Sequence, residues 1–233
     1  MMRKQIIIVL IMLVFMIIIL SGCTQQNSSE DTLSSDESEI KTNPPATETI
    51  QTILSKTETI ESMYYEIDAS IHISEFGTQT ATIKIWQKTP YLKEQITSIT
   101  DGITTSITVI QRPEGIYMYS PEIGNYIVAT EEATSIATSL QYFDNELIKN
   151  YIINQTTTDF ETETIEGKKA TIIQYTPLQG EYPMTIKIWI WNERGVPLKA
   201  YIDMTMEDTT MMMDFKFNNY SFSDIPDSIF SMS

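Results

Sequence analysis

The sequence predicts an α+β domain built on one antiparallel sheet of about ten strands, with helices on one side of it. The first observation is an alternation of apolar and polar residues over most of residues 65–219, which is typical of strands with one wet face. The second is a change to helical spacing in two stretches, residues 50–63 and 131–151. The third is the series of short turns, which favours hairpin connections between neighbouring strands.

Residues 50–63 form the first predicted element, an amphipathic helix. Its apolar stripe follows the i, i+3, i+4 spacing and consists of Ile50, Ile53, Leu54, Thr57, Ile60 and Met63. Alternation with period two then predicts strands over residues 65–74, 81–86, 91–99, 103–109, 116–119 and 126–129. Gly77, Gly102 and the Pro113–Gly115 segment predict turns between several of them.

The second half of the chain begins with the other helical stretch, residues 131–151. Its apolar stripe consists of Ile136, Leu140, Phe143 and Leu147. Strands resume after Thr156, and a turn at Glu166–Gly167 precedes further predicted strands over residues 170–176, 184–190, 197–206 and 209–219. A twisted sheet of this size tends to curl, so we expect the helices to cover its concave side. The predicted domain extends over residues 47–233.

The N-terminal segment has the features of an export signal. Arg3 and Lys4 precede an unbroken apolar run over residues 6–20, which is short for a membrane span and typical of a signal peptide. The tetrad Leu20-Ser21-Gly22-Cys23 follows, and it resembles the lipobox of prokaryotic lipoproteins. We therefore predict a signal peptide over residues 1–22, lipidation of Cys23, and a flexible acidic tether over residues 23–46. An uncleaved membrane anchor is the alternative.

Composition excludes several functional classes. The chain of 233 residues has a formal net charge of −16, which argues against nucleic-acid binding. One Cys and one His exclude disulfide frameworks and the common zinc and iron sites. His72 has acidic neighbours on the polar side of its strand, but no nucleophile motif accompanies it. The sequence thus indicates a protein that is not an enzyme and has no cofactor or metal.

Methionines cluster around one predicted hairpin. Met204 and Met206 share a face of the strand before the turn, and Met211 and Met213 share a face of the strand after it. Flexible, polarisable thioethers suit an adaptable lipid pocket. Ordinary core packing explains the same pattern equally well, and a Cu(I) site is a third interpretation that no His or Cys supports.

Several short motifs, taken in order, resemble the LolA/LolB-like superfamily of lipoprotein carriers. They are Tyr64-Tyr65 after the first helix, Lys84-Ile85-Trp86, Lys88-Thr89-Pro90, the segment from Gly115 to Glu122, Ile188-Trp189-Ile190-Trp191, the segment from Gly195 to Lys199, and the segment from Ile225 to Phe230. The proteobacterial carrier has an Arg immediately before the Pro that matches Pro90, where this chain has Thr89. The resemblance therefore does not extend to the release mechanism that uses that Arg.

The resemblance implies an incomplete antiparallel half-barrel with an apolar cavity between its sheet and its helices. The expected ligand is a lipid or a lipoprotein acyl chain, held without covalent chemistry by an extracytoplasmic protein anchored to the membrane through lipidated Cys23. An envelope sensor or protein-interaction module on the same scaffold is the alternative, with an envelope protein as partner. The residues expected to line the cavity are Ile67, Ile71, Ile83, Ile85, Ile186, Ile188, Met204, Met206, Met211, Met213, Phe215 and Phe217.

Overall fold

The structure is a computed structural model that describes residues 48–74, 76–100, 102–128, 148, 160–176, 183–206 and 209–232. These residues form one open antiparallel sheet of eleven strands, in the spatial order β6-β5-β4-β3-β2-β1-β11-β10-β9-β8-β7. The strands are β1 (Ser62–Ile73), β2 (Gly77–Lys88), β3 (Tyr91–Thr100), β4 (Ile103–Arg112), β5 (Gly115–Tyr119), β6 (Ile127–Val128), β7 (Thr162–Ile165), β8 (Lys168–Tyr175), β9 (Met184–Trp191), β10 (Pro197–Met206) and β11 (Thr209–Ser221).

The predicted antiparallel sheet of about ten strands is confirmed, and its described part is an open sheet of eleven strands. The strand pattern expected to resume after Thr156 corresponds to β7, which pairs with β8 at one edge of the sheet. Three of its four residues are exposed, so apolar alternation gives no bounds for it. Pairing with the Lys168–Tyr175 strand, and not hydrophobic patterning, defines it.

The first helix, α1 (Ile50–Ser55), is much shorter than predicted. Thr49 caps its start by accepting a hydrogen bond from the backbone amide of Thr52. A 3₁₀ turn follows over Lys56–Thr59, and β1 already begins at Ser62. The hydroxyls of Thr57 and Thr59 bond to backbone carbonyls three residues earlier, at distances of 2.9 and 2.8 Å. Such local bonds, together with β-branching, weaken a helix and explain the early end.

The second predicted helical stretch lies outside the described residues, except for Ile148. That side chain is fully buried in the main hydrophobic cluster, which also contains Ile50, Ile53 and Leu54 of α1. Two separate parts of the chain therefore contribute apolar side chains to the core beside the strands. Helices that cover a concave side of the sheet remain a prediction.

The two faces of the sheet differ in what they pack against. The main cluster lies on one face, which we call the apolar face, and draws on β1, β2, β8, β9, β10 and β11. The opposite face, the polar face, carries two smaller clusters. One of these forms where a 3₁₀ helix at Asp227–Phe230 packs against Tyr91 and Ile110. The C-terminal 3₁₀ helix is thus held against the polar face.

Within the described residues, no helix has both the length and the apolar character that a membrane span requires. The apolar run over residues 6–20 lies outside the residues that the structure describes.

Candidate functional site

All twelve residues predicted to line a cavity lie on the apolar face. Residues directly opposite each other in antiparallel strands point to the same side of the sheet. Ile67 of β1 lies opposite both Phe217 of β11 and Ile83 of β2, so a row of large side chains crosses three strands. The row continues through Ile96 and Ile107 on β3 and β4. The alternation seen in the sequence thus becomes a continuous apolar surface.

Methionines occupy the end of this surface at the β10–β11 hairpin. Met204 lies opposite Met184 on β9 and opposite Met211 on β11, so three thioethers form one row. In the next row, Met213 lies between Ile202 of β10 and Ile71 of β1. The register therefore places the methionines of β10 and β11 on the same face of the sheet.

Burial is high over the whole surface. Ten of the twelve residues are buried, and Ile71 and Ile83 are partly buried against the same cluster. The helix α1 packs near the opposite end from the methionines. Lys56, the residue directly after α1, donates from its ammonium group to the backbone carbonyl of Asn192 in the β9–β10 turn. Core packing and ligand lining remain alternative roles for the surface, and the described contacts place α1 away from its methionine end.

Among the described residues, one buried charged side chain lies on the apolar face, and the sequence alone did not single it out. Glu94 of β3 lies directly opposite Ile85 on one side and Val109 on the other, and it is only 2% exposed. Its Oε2 atom accepts no hydrogen bond from the described residues. The sequence does indicate its side of the strand, because Glu94 stands between Leu92 and Ile96 in the alternation and these three residues point to the same face.

Burial dominates the electrostatics around Glu94. Desolvation raises the pKa of its carboxyl group from 4.5 to about 7. Tyr65 of β1 is partly buried on the same face, and desolvation of its hydroxyl, followed by the nearby Glu94, raises the pKa of that hydroxyl far above the ordinary value. Both groups therefore favour their neutral forms, which suits an apolar surface.

On the polar face, the carboxyl group of Glu66 has a pKa shift in the opposite direction. Glu66 accepts hydrogen bonds from the hydroxyl of Tyr64 and from the amide of Asn219. These bonds lower its pKa, the Tyr64 bond being the larger cause, and Lys84 contributes further. Two glutamates on neighbouring parts of one sheet thus favour different protonation states because one is solvated and hydrogen-bonded and the other is not.

The three tryptophans lie on the polar face, as their alternation with isoleucine predicts. Trp189 is buried, donates to Glu163 over 2.7 Å, and has the ammonium groups of Lys187 and Lys199 within 5.0 Å of its ring centroid. Trp86 packs in the cluster beneath the C-terminal 3₁₀ helix. Packing therefore accounts for at least these two.

His72 shows no catalytic constellation among the described residues. It lies on the polar face opposite Thr78 and Met212, and its Nδ1 atom lies 3.0 Å from the Thr78 hydroxyl. The described part of the chain also contains no group of three His, Cys, Asp or Glu side chains arranged to hold a metal.

A shallow depression of 280 Å³ lies on the polar face, bordered by charged side chains of both signs. Several of these charges already have partners. Asp68 accepts from Asn218 at 2.8 Å and from Thr82 at 3.3 Å, and Lys216 lies 2.7 Å from Glu166. Two of the four charged side chains that border the depression are thus already paired within the sheet.

Two positions that the sequence singled out remain: Cys23 and the Lys88–Pro90 segment. Cys23 lies outside the described residues. At the position that corresponds to the carrier's Arg, Thr89 is followed by Pro90, while Lys88 bonds to the carbonyl of Ile225 and to Asp227, each at 2.9 Å. Lys88 therefore holds the C-terminal segment against the sheet.

Comparison with known proteins yields likenesses of structure only. No family model and no curated protein matches the sequence. A LolA superfamily protein, NE2245 from Nitrosomonas europaea, is 12% identical, with 78% of this chain and 97% of that chain covered and a TM-score of 0.37. An uncharacterised conserved protein from Thermus thermophilus is 9% identical, with 77% and 91% covered and a TM-score of 0.47.

The third similar structure is the complex of MucA and MucB from Pseudomonas aeruginosa. It is 14% identical, with 79% of this chain and 60% of that chain covered and a TM-score of 0.45. The solved structures to which this chain is similar thus include a member of the LolA superfamily, the group that its sequence resembles.

Proposed function

We propose that this protein is an extracytoplasmic lipoprotein, anchored through lipidated Cys23, that binds a lipid or another apolar ligand against the apolar face of its sheet. The observation that carries the proposal is the continuity of that face: isoleucine, phenylalanine and methionine side chains meet in register across five strands, β2, β1, β11, β10 and β9. Burial of each methylene of an acyl chain there contributes about 0.8 kcal/mol, so one chain supplies useful affinity.

Ligand retention tests the proposal directly. Residues 24–233, exported from a cell that makes the native lipids, are measured by native mass spectrometry, and the organic extract is then analysed for lipids. We expect a stoichiometric apolar adduct that identifies the ligand class. A ligand-free mass, together with no uptake of a fluorescent acyl probe, would contradict the proposal.

A matched pair of substitutions locates the binding surface. Met213 lies on the apolar face, whereas its neighbour Met212 lies on the polar face opposite His72. We expect Met213→Trp to abolish probe uptake because the larger side chain fills space on the apolar face, and Met212→Trp to leave uptake unchanged. Equal uptake by the two folded variants would place the ligand elsewhere.

A protein-interaction module is the second candidate, and one observation favours it. Phe76, Ile99 and Ile103 are each more than half exposed. They lie on two neighbouring hairpins at the same end of the sheet, because Ile99 pairs with Thr80 near the start of β2. Exposed apolar groups of this kind suit contact with an envelope protein. In that case Phe76→Ser would weaken partner binding, while Met213→Trp would leave it intact.

A further inference from the structure

The carboxyl group of Glu94 is a polar feature that simple apolar packing does not explain. It is 2% exposed on the apolar face, and Oε2 has no hydrogen-bond partner among the described residues. Burying a polar group without a partner costs folding free energy, and an apolar residue of similar volume avoids that cost. The position therefore calls for a partner that the described residues do not supply.

The surroundings of Glu94 define the chemistry of such a partner. Ile85 and Val109 lie directly opposite it on the two adjacent strands. Tyr65 from β1 is the titratable group that faces Glu94 among the described residues, and it is neutral at ordinary pH. Lys93, the basic neighbour along β3, points to the polar face, where its ammonium lies 5.7 Å from the ring of Trp86. No described cation therefore balances a charge on Glu94.

The protonated carboxyl group has one O–H to donate. Burial keeps the pKa of Glu94 near 7, so the acid form predominates below that pH. A ligand that offers a hydrogen-bond acceptor without a charge satisfies this donor. An ammonium group would require a buried ion pair, and a ligand carboxylate would place two acidic groups side by side.

We propose that Glu94 donates a hydrogen bond to the ester or amide carbonyl of an acyl lipid held against the apolar face. This inference rests on the proposed function and specifies the ligand class: an acyl chain joined through a neutral carbonyl, with its hydrocarbon on the isoleucine and methionine rows. Glu94 thereby fixes the position of the carbonyl end of the lipid on the sheet.

A pair of soluble lipids tests the inference. Dihexanoyl phosphatidylcholine and its di-O-hexyl ether analogue differ only in two ester carbonyls. Their affinities for residues 24–233 are measured by displacement of a dodecyl-pyrene probe between pH 6 and pH 9. At pH 6 we expect the ester lipid to bind roughly threefold to tenfold more tightly, the effect of one neutral hydrogen bond. The preference disappears by pH 9 because a carboxylate cannot donate.

Three variants separate this hydrogen bond from general packing. Glu94→Leu should lose the ester preference at pH 6 yet still bind the ether lipid. Glu94→Gln should keep the preference at both pH values, because its amide N–H donates throughout. Glu66→Gln, on the polar face, should behave like the natural protein.

Equal affinities of the natural protein for the two lipids at pH 6 would overturn the inference, as would an ester preference that persists in Glu94→Leu. Failure of the probe itself to bind would instead overturn the proposed function, and this inference with it.

Discussion

At the scale of single residues, environment and not residue type decides what an acidic side chain does in this protein. Glu66 accepts hydrogen bonds from neighbouring side chains and favours its ionised form. Glu94 is buried among apolar strands and favours its neutral form. The two shifts have opposite consequences for stability. For an acid whose pKa is raised by folding, the unfolded chain ionises first, so stability falls as pH rises from 4.5 to about 7.

Substitution of Glu94 by glutamine should remove this dependence. We expect Glu94→Gln to match the natural protein near pH 4 and to be more stable by roughly 3 kcal/mol at pH 8, because the amide never ionises. Urea unfolding at a series of pH values measures the difference. Glu66→Gln serves as the contrasting control: its difference from the natural protein should have the opposite sign above pH 4.5. Parallel pH profiles for Glu94→Gln and the natural protein would contradict the raised pKa.

At the scale of elements, the sequence predicts the strands better than it predicts their edges and the helix. Alternation identifies β1 and β11 and places Ile67 and Phe217 on one face, since period two fixes the side of every residue at once. It gives no bounds for β7, whose residues are mostly exposed, and it does not predict that α1 ends at Ser55, after which threonine hydroxyls bond to backbone carbonyls. The alternation in the sequence shows on which side of β3 Glu94 lies. Its burial could not be predicted, because it depends on packing against other parts of the chain.

The junction between α1 and the β9–β10 turn depends on a glycine. Gly195 has a φ of +73°, and a Cβ atom there would lie 2.3 Å from the backbone oxygen of Ile53. Gly167 has a similar φ of +78° but no atom within 4 Å of the corresponding position. The two glycines therefore share the same backbone strain on substitution and differ only in the steric contact with α1.

We expect Gly167→Ala to cost about 1 kcal/mol, the strain of a left-handed alanine. Gly195→Ala should cost roughly 3 kcal/mol or more, because the backbone of α1 must also move. Chemical denaturation of the two variants gives the comparison. Equal losses of stability would show that α1 does not pack closely against this turn.

At the scale of the whole molecule, the chain combines an apolar sheet face, an acidic overall charge and an N-terminal segment with the features of a lipoprotein signal. The proposed anchor and the proposed site are compatible in distance. Residues 24–47 separate Cys23 from the first described residue, and 24 extended residues span at most about 80 Å. Such a length lets the apolar face approach the membrane from which a lipid would be taken.

The anchor itself is tested by intact mass, because the chain contains a single cysteine. We expect the natural protein in the membrane fraction to lack residues 1–22, to carry acyl mass on Cys23, and to resist labelling by a maleimide. Cys23→Ala should keep residues 1–22 and carry no acyl mass, because the acceptor thiol is gone. This variant can still sediment with membranes through the apolar run over residues 6–20. The test of lipidation is therefore the intact mass and not the membrane fractionation. An unprocessed natural chain with a reactive thiol would show that this run is an uncleaved anchor.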